Sequence, residues 1–316
     1  MFTTQNRFSR ILLTGSQGQV GRALYPLLGQ LGHVLPVTRN ELDLTQPHAI
    51  RTLVKTFKPT LIINAAAFTA VDRAETESNI AMQVNKEAVS ILAEEAQQLG
   101  ALMVHYSTDY VFDGKKIDPY RETDPTGPLN EYGKSKLGGE IALREILPAH
   151  LIFRTSWVYA AEGANFLNTM LRLGQVRPEL RIVDDQRGAP TSAKAIARIT
   201  LQVLQSPLIA SGETPSAHPQ SHSEPNTMAY GTYHLTAQGD VSWFGFAKAI
   251  FLAVKNPSGS PRLTPIPTKD YPLPAIRPAN SRLNTDKIQS TFGCVLPTWQ
   301  AQLEEVLQDK NLLPSS

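Results

Sequence analysis

The stretch from His105 to Lys136 reads HYSTDYVFDG, a polar loop, then NEYGKSKLGGE. It places Ser107 and Thr108 at the end of a strand and sets Tyr132 and Lys136 four residues apart. A hydroxyl pair, a phenol and an ammonium are the groups needed to protonate or deprotonate an oxygen while a hydride moves at the adjacent carbon. Alone, Tyr-x-x-x-Lys is close to a chance pairing in a chain with 9 tyrosines. Its position gives it weight. The helix begins just after Asp124-Pro125-Thr126-Gly127-Pro128, so phenol and ammonium share one helix face. An incidental surface pair is the plain alternative.

Such a site needs a hydride carrier, and the start of the chain has the pattern for one. RILLT (10–14) reads as a buried strand, followed by Gly15-Ser16-Gln17-Gly18-Gln19-Val20-Gly21 and a helix with Leu24, Leu27, Leu28 and Leu31. Gly15 permits the tight turn, Gly18 lets backbone approach a pyrophosphate, and Gly21 lets the helix pack close to the strand. The spacing is G-x-x-G-x-x-G, and a plain glycine-rich turn would look similar. A second strand, His33–Thr38, ends at Thr38-Arg39, where NAD-preferring folds carry an acid for the ribose. An arginine there suits a 2′-phosphate, so NADPH is favoured and NADH is the lesser choice. A solvated Arg39 is the alternative. Asp43 fits either the adenine edge or a helix cap.

The remaining elements are those that would position these groups. TLIINAAA (60–67) is a third buried strand ending in small residues, and a helix follows with Ile80, Val84, Ala88 and Ile91 on one stripe. Leu102–Tyr106 delivers Ser107 and Thr108 to the same carboxyl edge, where an open parallel sheet binds its ligands. Further strands are expected at His150–Arg154, Leu180–Val183 and Thr232–Leu235, with helices at Asn165–Val176, Ser242–Val254 and Trp299–Leu307. Trp157 would wall a substrate pocket or sit as a core aromatic. The proline-rich run Pro261–Pro278 predicts loop rather than sheet. Arg277 and Arg282 bracket Asn280-Ser281, suited to phosphate or sugar hydroxyls or to a plain surface. His218 and His222 lie in a Pro/Ser/His-rich segment, 206–229, read as a flexible surface insertion rather than a metal site.

Composition sets outer bounds. Of 316 residues 41% are hydrophobic and 18% charged, enough for a large core. A net charge of +2, with no Lys/Arg run beyond Lys115–Lys116, argues against nucleic acid or an anionic membrane as partner. The lone Cys294 excludes an internal disulfide. MFTTQNRFSR has no apolar signal core, and no apolar run approaches a membrane span, so a soluble cytoplasmic protein is expected.

With LLTGSQGQVG, INAAAFTAVDRAE, HYSTDYVFDG, NEYGKSKLGGE, FRTSWVY, DDQRGAPT and RPANSRL in order, the chain resembles the extended short-chain dehydrogenase/reductase superfamily, and within it the dTDP-4-dehydrorhamnose reductase family. The resemblance covers nearly everything outside 206–229. It implies an α/β fold: a Rossmann-type doubly wound parallel sheet with a smaller C-terminal substrate-binding domain. Residues 1–160 would form the NADP(H)-binding domain, with 180–206 and 230–255 returning to it, and 161–179 and 256–316 would mainly hold substrate. It implies NADPH-dependent reduction of the 4-keto group of a dTDP-sugar, with Thr108, Tyr132 and Lys136 catalytic and Tyr132 the general acid. Gly15, Gly18, Gln19, Val20, Gly21, Thr38, Arg39, Asp43, Leu44, Ala67, Phe68, Thr69 and Tyr106 would line the cofactor with Tyr132 and Lys136. Ser107, Thr108, Asp109 and Trp157 would touch the sugar. Phe68 departs from the small or polar residue relatives often carry. The resemblance also raises a homodimer and a Mg2+ ion at its contact; this sequence shows no carboxylate set for the ion, and no metal is assigned. A nucleotide-sugar epimerase or dehydratase, holding its cofactor through each turnover, and a non-catalytic NADP-binding subunit are the competing readings. The presence of both Tyr132 and Lys136 speaks against the latter.

Overall fold

The computed structural model describes residues 8–210, 229–254 and 260–313. The bulk of the 206–229 insertion, with His218 and His222, lies outside them; of its described part, Pro207–Ala210 is helical.

Runs of β-branched and leucine side chains form the central sheet. Strands β1 (Arg10–Thr14), β2 (His33–Val37), β3 (Leu61–Asn64), β4 (Leu102–Thr108) and β5 (His150–Thr155) alternate with helices. These are α1 (Gln19–Leu28), α2 (Pro47–Phe57), α3 (Val71–Ala74), α4 (Ser78–Met82), α5 (Ala88–Leu99) and α6 (Glu131–Ile146). A late strand joins the same sheet. The order is β10-β5-β4-β3-β1-β2, with every pair parallel and β10 spanning Gly231–His234. Strands β3, β4 and β5 are buried along their whole length, as a sheet covered on both faces requires. Pro36 is accommodated because β2 is an edge strand.

Alternation along the strands divides the core in two. Leu12, Ile62, Met103 and Ile152 pack with residues of α2, α5 and α6. Ile11, Leu13, Ile63, Val104 and Phe153 pack on the other side, with α1 and α8 (Ala193–Gln205). A third cluster is built from α7 (Phe166–Val176), β7 (Glu179–Val183), α10 (Trp243–Ala253) and α12 (Trp299–Asp309). Small two-stranded sheets pair β6 (Val158–Tyr159) with β9 (Thr191–Ser192), β8 (Arg187–Gly188) with β11 (Val241–Ser242), and β7 with β12 (Arg262–Ile266). The short helices α9 (Pro207–Ala210) and α11 (Asp286–Phe292) complete the order. Residues 180–206 and 230–255 are thus divided: α8 and β10 belong to the large sheet's layers, whereas β7 and α10 pack in the third cluster.

The proline-rich run corrects one expectation. Its first part, Arg262–Ile266, is a strand in five-residue parallel register with β7 despite Pro265. In a two-stranded sheet each strand has a free edge, and that is where a missing N–H costs least.

Helix α6 carries the tyrosine and lysine and lies close to its neighbours. A Cβ on Gly133 would stand 2.3 Å from the Tyr110 carbonyl oxygen, and one on Gly139 2.1 Å from that of Asn85. Asn85 sits in a π-type turn (Gln83–Glu87) between α4 and α5. Its amide accepts from Phe68 N at 2.8 Å and donates to Phe68 O at 3.0 Å and Ser135 Oγ at 2.9 Å. Gly139→Ala would gain about 1 kcal/mol of helix propensity but overpack this contact by more. A net loss of roughly 1–2 kcal/mol is expected in urea unfolding; an Ala variant as stable as the parent would show that α6 can move away from Asn85.

Candidate active site

The carboxyl ends of the central strands carry a row of buried polar side chains. Register sets Thr14 beside Asn64 and Asn64 beside His105, so all three project from the same face of the sheet, toward α6. Thr14 Oγ1 and Asn64 Oδ1 are 2.6 Å apart, and Asn64 Nδ2 and His105 Nδ1 3.1 Å. His105 Nε2 lies 3.2 Å from Lys136 Nζ, which also donates to the Tyr106 carbonyl at 2.7 Å. Lys136 is 2% exposed. Burial pulls its pKa down to about 8, against the pull of Glu140. Burial and then the Lys136 charge hold His105 well below the usual histidine range.

One turn back on α6, the Tyr132 phenol is pushed up to about 12, chiefly by burial and against the pull of the neighbouring Thr108 hydroxyl. The Tyr110 ring packs edge-on against it, with centroids 5.8 Å apart. Thr108 Oγ1 in turn donates to Asp109 Oδ1 at 3.1 Å and accepts from Tyr110 N. Burial raises the Asp109 carboxyl to about 7, against hydrogen bonds from Ser281 and Thr108, and its Oδ2 is buried with no partner. Tyr110 leads into a cavity of about 480 Å³, walled by Phe166, Met170, Ile182, Trp243 and Arg277 among others. Arg277 is held there by the Asp72 carboxylate at 2.9 and 2.8 Å, which ties α3 to the 275–277 segment.

The glycine turn is built to receive an anion. Gly15 has φ +67, and a Cβ there would meet Ala66 N at 2.6 Å; one on Gly21 would meet the Gly15 carbonyl at 2.1 Å. Helix α1 starts at N-cap Gly18 with no side-chain cap and no acidic residue in its first turn. Its leading N–H groups are therefore open to a phosphate.

Several expected site residues are placed differently. The Tyr106 side chain points to the opposite face from His105, into the core, where its hydroxyl bonds Thr200 Oγ1 at 2.8 Å. Only its carbonyl reaches the site. Leu44 is likewise a core residue, packed with Leu42 and Ile50. Ser107 Oγ is committed to Glu140 at 2.6 Å, in a buried pair that Arg154 closes at 2.9 and 2.7 Å. Asp43 accepts from Thr45 N and Oγ1, both at 2.9 Å, in a turn ahead of α2, whose N-cap is Gln46 with no side-chain cap. Arg39 is exposed and Thr38 half-buried at the end of β2, where the Glu41 carboxylate accepts from Thr38 N. Gln19 accepts from Asn165 at 2.9 Å, and Val20 packs on the core. Ala67, Phe68 and Thr69 follow the end of β3. Trp157 has φ +49 and stacks face to face on Trp243 at 3.5 Å. It backs the cavity through that ring. Asn64, His105 and Glu140 were not singled out from sequence; the period-2 alternation that turns Tyr106 away from Ser107 also pairs His105 with Ser107 on the α6 face. Arg282 bonds Asn280 Oδ1 and the Ile117 carbonyl, so its guanidinium ties the 280–282 segment to the loop at Ile117. Among the described residues no group of three or more His, Cys, Asp or Glu is arranged to hold a metal ion, and no helix is long and apolar enough to cross a membrane.

The chain is similar to known proteins over nearly its whole length. Residues 9–312 match the family model described as RmlD substrate binding domain. A dTDP-4-dehydrorhamnose reductase of Burkholderia thailandensis is 47% identical over 296 residues, covering 92% of this chain and 95% of the relative. The crystal structure of a dTDP-4-dehydrorhamnose reductase from Clostridium acetobutylicum superposes with a TM-score of 0.85 at 35% identity, over 96% of this chain and 100% of that one. That of the Bacillus anthracis enzyme, in complex with NADP, gives 0.84 at 32%, over 95% and 99%.

The raised Asp109 carboxyl predicts a pH dependence of stability. The native state holds a proton that the unfolded chain, near the ordinary carboxyl value of 3.8, has released. Stability contributed by this group is therefore lost as pH rises from about 4 through 7. Relative to Asp109→Asn, the wild type should lose on the order of 2 kcal/mol between pH 4.5 and 8 in urea unfolding. Parallel pH profiles of the two proteins would show that Asp109 ionises freely.

Proposed function

The chain belongs to the RmlD substrate-binding-domain family of dTDP-4-dehydrorhamnose reductases, and on that premise we propose that it reduces the 4-keto group of dTDP-4-dehydro-L-rhamnose at the expense of NADPH. The observation that carries this reading is the meeting of Thr108, Tyr132 and Lys136 on the carboxyl edge of the sheet, between an anion-ready glycine turn and a walled cavity. The six-stranded unit would hold the dinucleotide and the α7–α10–α12 unit the sugar nucleotide, with Tyr110 and Tyr132 at their junction. Gly15, Gly18 and Gly21 would lie under the pyrophosphate, with Gln19 and Val20 N–H groups toward it. Arg39, exposed past β2, would pair with the 2′-phosphate.

When bound, NADPH supplies the hydride. Tyr132 supplies the proton: with its pKa raised to about 12 it is fully protonated at neutral pH, the state an acid must start from. Thr108 neighbours that phenol and can hold the same ketone oxygen, fixing the point of protonation. Lys136 sits on the face of α6 that carries Tyr132 and is anchored on the Tyr106 carbonyl. Its hydrogen bonds go to that carbonyl and to His105 rather than to the phenol, so its effect on Tyr132 would be exerted through charge and through the cofactor ribose. Trp243, with Trp157 behind it, would give the sugar nucleotide a flat apolar wall, and Arg277 a cationic one. Asp109, neutral when protonated, could donate to a sugar hydroxyl from its free Oδ2.

Following NADPH and NADH oxidation with dTDP-4-dehydro-L-rhamnose and its UDP counterpart tests the assignment. Oxidation should be fastest with NADPH and the dTDP-sugar, and no oxidation with either sugar would overturn the reading. Tyr132→Phe should lower kcat on the order of a hundredfold while NADPH affinity changes little. The kcat/KM profile should fall above about pH 8, where Lys136 in the free enzyme loses its charge.

A further inference from the structure

We propose that Thr14, Asn64 and His105 form a hydrogen-bond chain able to run in either direction, and that through it His105 positions Lys136 in both of its protonation states. The proposal rests on the reading of Lys136 as part of the reductase site and adds the groups that let it work while buried.

The geometry is a straight consequence of sheet register. Thr14 on β1, Asn64 on β3 and His105 on β4 are in-register neighbours, and all three are almost completely buried. The contacts run 2.6, 3.1 and 3.2 Å from Thr14 to Asn64, His105 and Lys136. Each link is ambivalent: a hydroxyl, a carboxamide and a neutral imidazole all carry both a donor and an acceptor. With Lys136 as an ammonium, Nζ donates to the Tyr106 carbonyl and to His105 Nε2; Nδ1–H then donates to the Asn64 oxygen, and the Asn64 nitrogen donates to Thr14. With Lys136 as an amine, Nζ still donates to Tyr106 but accepts from His105 Nε2–H. Nδ1 then accepts from the Asn64 nitrogen, and the Thr14 hydroxyl donates to the Asn64 oxygen. A half-turn of the amide and a change of imidazole tautomer interconvert the two with the heavy atoms in place. In going from the first to the second, one proton leaves the lysine–histidine pair to solvent and the chain itself gains none. In both directions each link from Asn64 through His105 to Lys136 sets a donor against an acceptor, so the lysine meets no unpaired buried group in either state. A simple buried acceptor, such as a carboxylate, would serve the ammonium alone.

The other groups facing this lysine do not duplicate the role. From α6, Glu140 acts on it by charge, but that carboxylate is already bound by Arg154 on β5 at 2.7 Å, by Arg144 at 3.0 Å and by Ser107 on β4. Tyr132 on α6 faces Thr108. The Tyr106 carbonyl on β4 is a fixed acceptor, satisfied by the ammonium and the amine alike. Among the described residues, only His105 meets Nζ with a group whose polarity can change.

The test is the alkaline limb of kcat/KM for NADPH-dependent reduction in four variants of the full chain, with thermal midpoint and NADPH binding followed in parallel. Asn64→Asp fixes the chain in the ammonium direction and adds a negative charge, so the limb should move up by at least about half a unit. His105→Leu removes the acceptor for the ammonium, so the limb should move down and the plateau fall about tenfold. His105→Gln, whose amide can still donate or accept, should restore much of both. Opposite shifts in variants that still bind NADPH are what the chain requires. An unchanged limb in Asn64→Asp, or the same direction of shift in it and His105→Leu, would overturn the proposal. If His105→Leu does not fold, the Asn64→Asp shift and the His105→Gln profile decide alone. Lys136→Met separates the two levels. Loss of activity there with no limb shift in the Asn64 and His105 variants rejects the chain and keeps the reductase reading, whereas near-full activity in Lys136→Met removes the role of the lysine itself.

Discussion

A lysine ammonium held at 2% exposure can exist only where fixed groups replace its water shell, and the carboxyl edge of this sheet is arranged around that requirement. The Tyr106 carbonyl meets one of its hydrogens and His105 stands at another. Those two acceptors come from consecutive residues of β4 because one is backbone and the other side chain. The lysine's position on α6 is then set to within a fraction of a helical turn. Tyr132 and Glu140, four residues to either side on the same helix face, are carried with it. That is how Tyr132 comes to Thr108 and Glu140 to Ser107 and Arg154. Displacing Lys136 would disturb all three contacts at once.

Close approach of α6 is the second condition, and it explains the unusual composition of that helix. A helix that must bring a tyrosine, a lysine and a glutamate to a sheet cannot rely on an apolar stripe. Its glycines supply proximity instead: Gly133 lies against Tyr110 and Gly139 against Asn85. The π-type turn at Gln83–Glu87 presents Asn85 to this contact, where it also clamps Phe68 at the end of β3. The segment after β3 and the helix bearing the acid are therefore fixed by one side chain. This coupling gives Phe68 a structural reason to have its backbone where it is, whatever its ring contributes to a ligand.

How much of this could be read from the chain follows from the range of each interaction. The glycine turn and the Tyr132/Lys136 pair were legible because their geometry is local: a strand–turn–helix and an i, i+4 spacing. The family resemblance was legible in ordered motifs, and the parallel sheet in the alternation of apolar strands and helices. Alternation within β4 was also available, and it turns the Tyr106 side chain away from α6: residues 105 and 107 face one way and 106 the other. What remained hidden depended on register between strands far apart in sequence. Nothing local says that Thr14, Asn64 and His105 stand side by side, since they are linked only through the pairing of β1, β3 and β4. Trp157 is similar, because its partner Trp243 is far along the chain and its φ of +49 is imposed by that stack and by the space Gly188 leaves. The strand at Arg262–Ile266 was obscured by its prolines, which weigh against a central strand but not against an edge.

Directional contacts fix the 275–283 segment against α3 and the end of β4, and this bears on how a substrate could be held there. Asp72 on α3 grips Arg277 with both oxygens, and the same carboxylate accepts from Ala275 N. Tyr120 and Leu283 form a bridge across the same boundary, and Asn280 donates to the Lys116 and Asp118 carbonyls. These ties hold the 275–283 segment over the end of β4, so that Arg277 faces the cavity with its charge already balanced. An anionic ligand entering there would compete with Asp72 for a guanidinium that has more donors than one carboxylate can use. The arginine can thus serve ligand and latch together, and binding need not break the contact that closes the two units on each other.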